Sequence, residues 1–289
     1  MFSKLGFIIT NHFLYVVVSL MYFVLGGFLL GGTVYSFIIA YVIYAVSVMI
    51  ALSRAAEKLL RFFHGIRSIE TNEEREYLIP IFHDVIDTIY QDKRKRIKER
   101  RRLELCIIDK LQVNACAIGR RTIAVTKGAM QTFDEEQLKG IIAHEIAHIK
   151  NGDTIAKMYL LVGSGYFYIA VSLFKLITLC MDRITQSIKS KSLGGVSCSI
   201  VRTVANIIVA VLSLFSQIAL AMKSRKIEFK ADETAYDWGL GENLISALYL
   251  LEKISLGDDR TVKQKLTASH PRVTARIGRL EGFGEDEAT

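Results

Sequence analysis

The sequence predicts a mainly α-helical, polytopic membrane protein: about four transmembrane helices carrying a cytoplasmic domain that includes a small β-sheet. Three observations predict it. Apolar residues make up 51% of the 289 positions, with only 2 Pro, and the mean hydropathy is +0.30, too apolar for an ordinary soluble domain. Those residues gather into four uncharged runs, Phe7–Leu30, Val34–Leu52, Met158–Phe174 and Thr203–Met222. A short glycine turn separates the first two runs and charged blocks set off the others, and one interval holds His144-Glu145-x-x-His148 inside an otherwise apolar stretch.

The first run is long enough to span a bilayer and the second just long enough. A signal peptide fits the first poorly, because the run is too long and no polar, cleavable region follows it. Asn11 and His12 fall inside it, where they can hydrogen-bond a neighbouring helix or lie near the interface. Gly26-Gly27 and Gly31-Gly32 mark a tight turn between the two spans. After Leu52 the chain turns basic at Arg54, Lys58, Arg61 and Arg67, the pattern of a cytoplasmic membrane face.

Residues 68–103 read as helical and end in the basic run Lys93–Arg102. That run suits anionic lipid headgroups in a chain already tethered to a membrane. A solvated helix face fits equally well, and a nucleic-acid patch is disfavoured, so no nucleic-acid partner is expected. Leu103–Asp109, Gln112–Ile118 and Thr122–Thr126 are short and partly β-branched, which suggests a small antiparallel sheet. Asp134-Glu-Glu136 caps the start of the motif helix, and Asn151-Gly152 ends it.

Two further spans follow, with flanking lysines that can snorkel and lengthen the shorter one. The polar segment Asp182–Leu193 lies between them. Beyond Lys223 the chain is charged again through Asp232. An amphipathic helix is expected over Glu242–Leu256, then a loop to Ser269-His270-Pro271, a short helix and an acidic tail. The cysteines at 106, 116, 180 and 198 form no C-x-x-C pair and read as packing thiols of a reducing compartment.

The motif carries the chemistry. Residues four apart share one helical face, so His144 and His148 can hold a single metal ion, with Glu145 beside them as a base. A catalytic zinc site needs a third protein ligand. Two spans separate Asp153 from Lys223, so the chain crosses, returns and brings Glu228 out on the motif's own side. Glu228 and Asp232 are again four apart. This leaves Glu228 to ligate and Asp232 to accept a hydrogen bond from a ligand histidine. The competing reading, an exposed helix alternating Lys226 and Lys230 with these acids, stands until an incomplete site is seen to need them.

The segments VTKGAM, DEEQLKGIIAHEIAHIKNGD, SRKIEFKADETA and SHPRVTARI together resemble the HtpX-like membrane metallopeptidases, relatives of the prenyl-protein (CAAX) endopeptidases. The resemblance covers nearly the whole chain. It implies a zincin-like catalytic domain, one Zn2+ bound by His144, His148 and Glu228, and Glu145 as general base. It further implies that His270 and Arg276 lie near the zinc and stabilise the oxyanion. Asn114-Ala115-Cys116-Ala117 resembles a strand of the family whose edge pairs with substrate backbone, and Cys116 stands where Phe is usual. The implied role is quality control of misfolded membrane proteins in the cell (inner) membrane.

The expected organisation is then two transmembrane helices over 1–53, catalytic parts over 54–154 and 223–289, and a membrane hairpin over 155–222. The partners are protein or peptide substrates and the lipid bilayer, with the site facing the cytoplasm. Two alternatives are a membrane scaffold with a structural metal and a prenyl-protein-type processing protease. Structural zinc usually closes with four protein ligands, mostly Cys. Here the cysteines lie far from the motif, which weakens the scaffold.

Overall fold

The computed structural model describes residues 30–158, 226–255 and 273–287, with isolated positions between 20–27 and 172–207. The chain divides into two compact units. One comprises Met1–Ala51 and Ala156–Leu220, the other Leu52–Ile155 and Ala221–Thr289.

In the first unit, helix α1 (Val34–Ala51) carries no charged residue. Its 18 residues extend ~27 Å at 1.5 Å per residue, close to the ~30 Å hydrocarbon core of a bilayer. Its apolar side chains point outward rather than into a protein core: Tyr35 is 77% exposed and Met49 73%. Gly31 and Gly32 precede it with φ of 122° and 67°, left-handed conformations that glycine adopts without strain. Among the described residues this is the one helix long and apolar enough to cross a membrane. The other three expected spans lie wholly or largely outside the described residues.

The second unit is built on a four-stranded sheet in the order β1 (Ile66–Ser68), β2 (Glu104–Ile108), β4 (Thr122–Thr126), β3 (Ala115–Ile118). The sheet is mixed, not antiparallel as the sequence suggests. β3 and β4 form an antiparallel hairpin around Gly119 (φ 62°). β2 runs parallel to β4 because the intervening chain places β3 outside β4. Strand-like segments alone do not reveal which of them are neighbours. β1, only three residues long, goes unseen in the sequence, where period-two patterning needs at least four.

Alternation sorts the strands into two faces. Leu105, Ile107, Ile123 and Val125 join the main core. Ile66, Cys106, Ile108 and Ala124 form a smaller cluster on the other face. On the main face lie α3 (Asn72–Ile89) through Leu78, Phe82 and Val85, α6 (Glu135–Asn151) through Leu138, Ile142 and Ile146, and α7 (Gly241–Ser255) through Leu244 and Leu248. Helix α8 (Val273–Glu287) adds Leu280 and absorbs the residues read as an acidic tail. Helix α2 (Arg54–His64) follows α1, α4 (Lys93–Arg102) is the basic run, and α5 (Lys127–Thr132) leads from β4 towards α6. Where α6 crosses α7 stands Gly140; a Cβ there would come 2.4 Å from the Leu244 backbone nitrogen.

Candidate metal centre

Helix α6 is fixed at both ends. Asp134 accepts the Gln137 N–H while the Gln137 side chain accepts the Asp134 N–H, a capping box. At the other end Gly152 turns left-handed (φ 79°) and donates its N–H to the carbonyls of His148 and Ile149. In between, nearly every residue from Leu138 to Ile149 is buried. His144, Glu145 and His148 are 3%, 6% and 4% exposed. Buried polar groups of this kind require partners.

The helix 226–235 supplies one. Glu228, 1% exposed, places Oε2 3.3 Å from His144 Nε2 and Oε1 3.5 Å from His148 Nε2. One donor atom from each of the three residues lies within 4.8 Å of the others. These spacings are long for hydrogen bonds but suit ligands of a shared ion. Two N or O ligands at 2.0–2.1 Å from a tetrahedral zinc stand roughly 3.3–3.4 Å apart. The donor set, two imidazoles and a carboxylate, also fits zinc.

Each imidazole is held from behind. His144 Nδ1 lies 2.9 Å from Asp232 Oδ1, and His148 Nδ1 lies 2.9 Å from Asp153 Oδ2. A carboxylate at Nδ1 fixes a proton there, so Nε2 is the nitrogen turned towards Glu228 and free to serve an ion. Burial disfavours a charge on His148, yet the Asp153 and Glu228 carboxylates outweigh it and push its pKa up to about 10. So much buried negative charge favours a cation at the centre of the site.

Arg276, on α8, has a place the sequence reading did not give it. Burial works against its charge, but its fork grips Asp232, Nε to Oδ2 at 2.8 Å and a terminal nitrogen to Oδ1 at 2.6 Å. In turn Asp232, whose carboxylate burial would make harder to ionise, is held below its ordinary pKa chiefly by Arg276. Another terminal nitrogen stands 3.9 Å from Glu228 Oε2. The guanidinium therefore stands beside Glu228 and His144 but is bound to Asp232. His270 lies outside the described residues. Asp153 was overlooked: it closes the conspicuous motif, and the glycine turn before it was the available signal that the chain folds back towards His148.

β3 is the outer strand of the sheet. Asn114 pairs with Thr126 through its carbonyl, so by the two-residue alternation of an antiparallel ladder Cys116 and Ile118 also face β4. The N–H and C=O groups of Ala115 and Ala117 then face the outer edge. The Asn114 side-chain oxygen accepts the Ala115 N–H at 3.0 Å. The Cys116 side chain packs on the smaller cluster, on the opposite sheet face from α6.

The profile of Peptidase family M48 matches residues 74–283, from α3 through Glu228 and Arg276. The chain belongs to peptidase family M48. Among its relatives is a Protease HtpX homolog of Methylacidiphilum infernorum, 28% identical over 256 residues, 81% of this chain and 80% of the relative. A Protease HtpX homolog of Bacillus subtilis is 31% identical over 188 residues, 59% of this chain and 60% of its own length. The crystal structure of S. mikatae Ste24p shares the fold, with a TM-score of 0.51 at 15% identity, over 96% of this chain and 65% of that one.

Proposed function

We propose that this M48 peptidase is an integral-membrane, zinc-dependent endopeptidase that cleaves unfolded or membrane-associated proteins at the cytoplasmic membrane surface. The observation that carries the proposal is the pair of 3.3 and 3.5 Å spacings between Glu228 and the two imidazoles, each imidazole backed by a carboxylate. His144, His148 and Glu228 would hold the ion. Zinc bound there supplies Lewis acidity, polarising a peptide carbonyl and making a water more acidic. Glu145, buried beside His144, takes the proton of the attacking water and returns it to the leaving amine. Asp232 and Asp153 keep the imidazoles in register, and Arg276 keeps Asp232 in place. His270 and Arg276 are the candidates for oxyanion donors. Arg276 can add that role only with nitrogen valences not given to Asp232.

The outer edge of β3 supports binding of a locally unfolded substrate as an added strand. Ala115 and Ala117 would pair with its backbone, and Asn114 would release the Ala115 N–H to it. The organisation in keeping with this reading is two spans over 1–53 and a hairpin over 155–222, with the two catalytic parts on the cytoplasmic side. Substrates would be misfolded membrane proteins, in a quality-control role.

Metal analysis and a peptidase assay of the purified protein test the reading. Glu145→Gln should keep one zinc per chain and lose hydrolysis, whereas Glu228→Ala should lose the zinc. Full zinc occupancy in Glu228→Ala would remove Glu228 from the ligand set.

A further inference from the structure

Helix α2 reverses the usual order of a surface helix. Its charged side chains Glu57 and Arg61, four residues apart and so on one face, point into the protein. The Glu57 carboxylate accepts the N–H groups of Arg120, Arg121 and Thr122 at 3.3, 3.2 and 3.0 Å and the Thr122 hydroxyl at 2.7 Å. Arg61 reaches Glu104 and lies 2.7 Å from the Cys106 sulfur. These bonds lock one face of α2 to the small-cluster side of the sheet.

The opposite face is therefore turned outward, and it is apolar. Leu59 is 56% exposed, Phe62 77% and Phe63 72%. They share one stripe because they stand three and four residues apart. Arg54 and Lys58, both exposed, lie on one side of it. Water solvates such a cluster poorly, and contiguous exposed apolar side chains mark a surface that something covers.

We propose that the Leu59–Phe62–Phe63 face of α2 is buried in the headgroup–acyl boundary of the same bilayer that α1 crosses, anchoring the catalytic unit flat on an anionic membrane surface. The inference rests on the membrane reading above. Two features select lipid as the occupant. Only Leu52 and Ser53 separate the uncharged helix Val34–Ala51 from Arg54, so α2 begins where a spanning helix would leave the hydrocarbon. The bordering cations complement anionic headgroups, and their stems can snorkel past the apolar stripe. An aromatic-rich stripe beside a basic border is the signature of a helix lying in the interface plane.

The chain's single Trp gives a direct test. Trp238→Phe, checked for its normal zinc content, serves as background for four separate full-length variants: Phe62→Trp, Phe63→Trp, Tyr41→Trp within α1, and Leu111→Trp, an exposed apolar site elsewhere on the catalytic unit. Each is reconstituted into phosphatidylcholine–phosphatidylglycerol vesicles whose acyl chains carry bromine near the headgroup. We expect the Trp at 62 and at 63 to be blue-shifted and to lose most of its emission, while the Trp at 111 stays bright. Quenching at 41 without quenching at 62 and 63 would overturn the anchoring of α2 and leave the membrane reading intact. No quenching at any site would overturn both. A blue shift at 62 and 63 without quenching would assign the face to a protein surface instead, and equal quenching at 111 would reduce the effect to general adsorption.

Discussion

The two histidines proposed as ligands are each backed by a buried acid. Asp153 and Asp232 each sit 2.9 Å from an Nδ1, and losing such a partner typically weakens metal binding by about 10–100-fold. Asp153→Asn, which preserves shape and removes charge, should show that weakening in a chelator competition while the chain stays folded. Arg276 separates two roles. If it chiefly orients Asp232, Arg276→Lys, which cannot reproduce the two-pronged grip, should lower zinc affinity. If it chiefly stabilises the oxyanion, zinc affinity should hold and only kcat should fall. The geometry favours the first outcome. At this scale the sequence was highly readable, because a helical spacing of four states which side chains meet. It places His144 with His148 and Glu228 with Asp232 on common faces, while the meeting of the two pairs rested on the topology argument and the family resemblance. Asp153 and the grip of Arg276 on Asp232 do not follow from the spacing, since one depends on a left-handed turn and the other on the docking of a distant helix.

Elements are set by a few contacts that tolerate little change. Gly140 lets α6 and α7 cross with their backbones almost touching, so Gly140→Ala forces a Cβ to within 2.4 Å of Leu244 N. Overpacking of this kind costs about 1–3 kcal/mol or more, and the variant should melt earlier and lose zinc in the same transition. The start of α3 offers a pH test. Glu74 closes a capping box with Thr71 and grips Arg67, whose hydrogen bond holds the Glu74 pKa down at about 2. An unfolded glutamate titrates near ~4.3. Glu74 therefore adds stability that is fully present above that value and fades as pH falls towards 2. The thermal stability advantage of the wild type over Glu74→Gln should be flat from neutral pH down to about 5 and vanish on further acidification. The ends of α6 were legible from Asp134 and Gly152, whereas the Thr71 cap of α3 was not read. The pairing of β2 with β4 was not, because parallel neighbours are chosen by how the chain wraps rather than by any local pattern.

For the whole molecule, the meeting of His144 with Glu228 constrains topology. Both belong to one compact unit, while the residues between them include Ala156–Leu220 of the other. If that intervening chain enters the bilayer, it must leave on the side it entered. With basic residues clustered on the catalytic side, that side is expected to be cytoplasmic. In a background without native cysteines, Ser190→Cys should react with a membrane-impermeant label added outside the cell and Asp286→Cys should not. Labelling at 286 alone would invert the orientation.

The division of the metal site across that intervening chain also has a consequence for biosynthesis. A ribosome delivers His144, Glu145 and His148 first, then the whole of Ala156–Leu220, and only afterwards Glu228 and Arg276. If His144, His148 and Glu228 hold the metal as proposed, a growing chain cannot close that set until the intervening residues have been made, and cleavage would begin only after them.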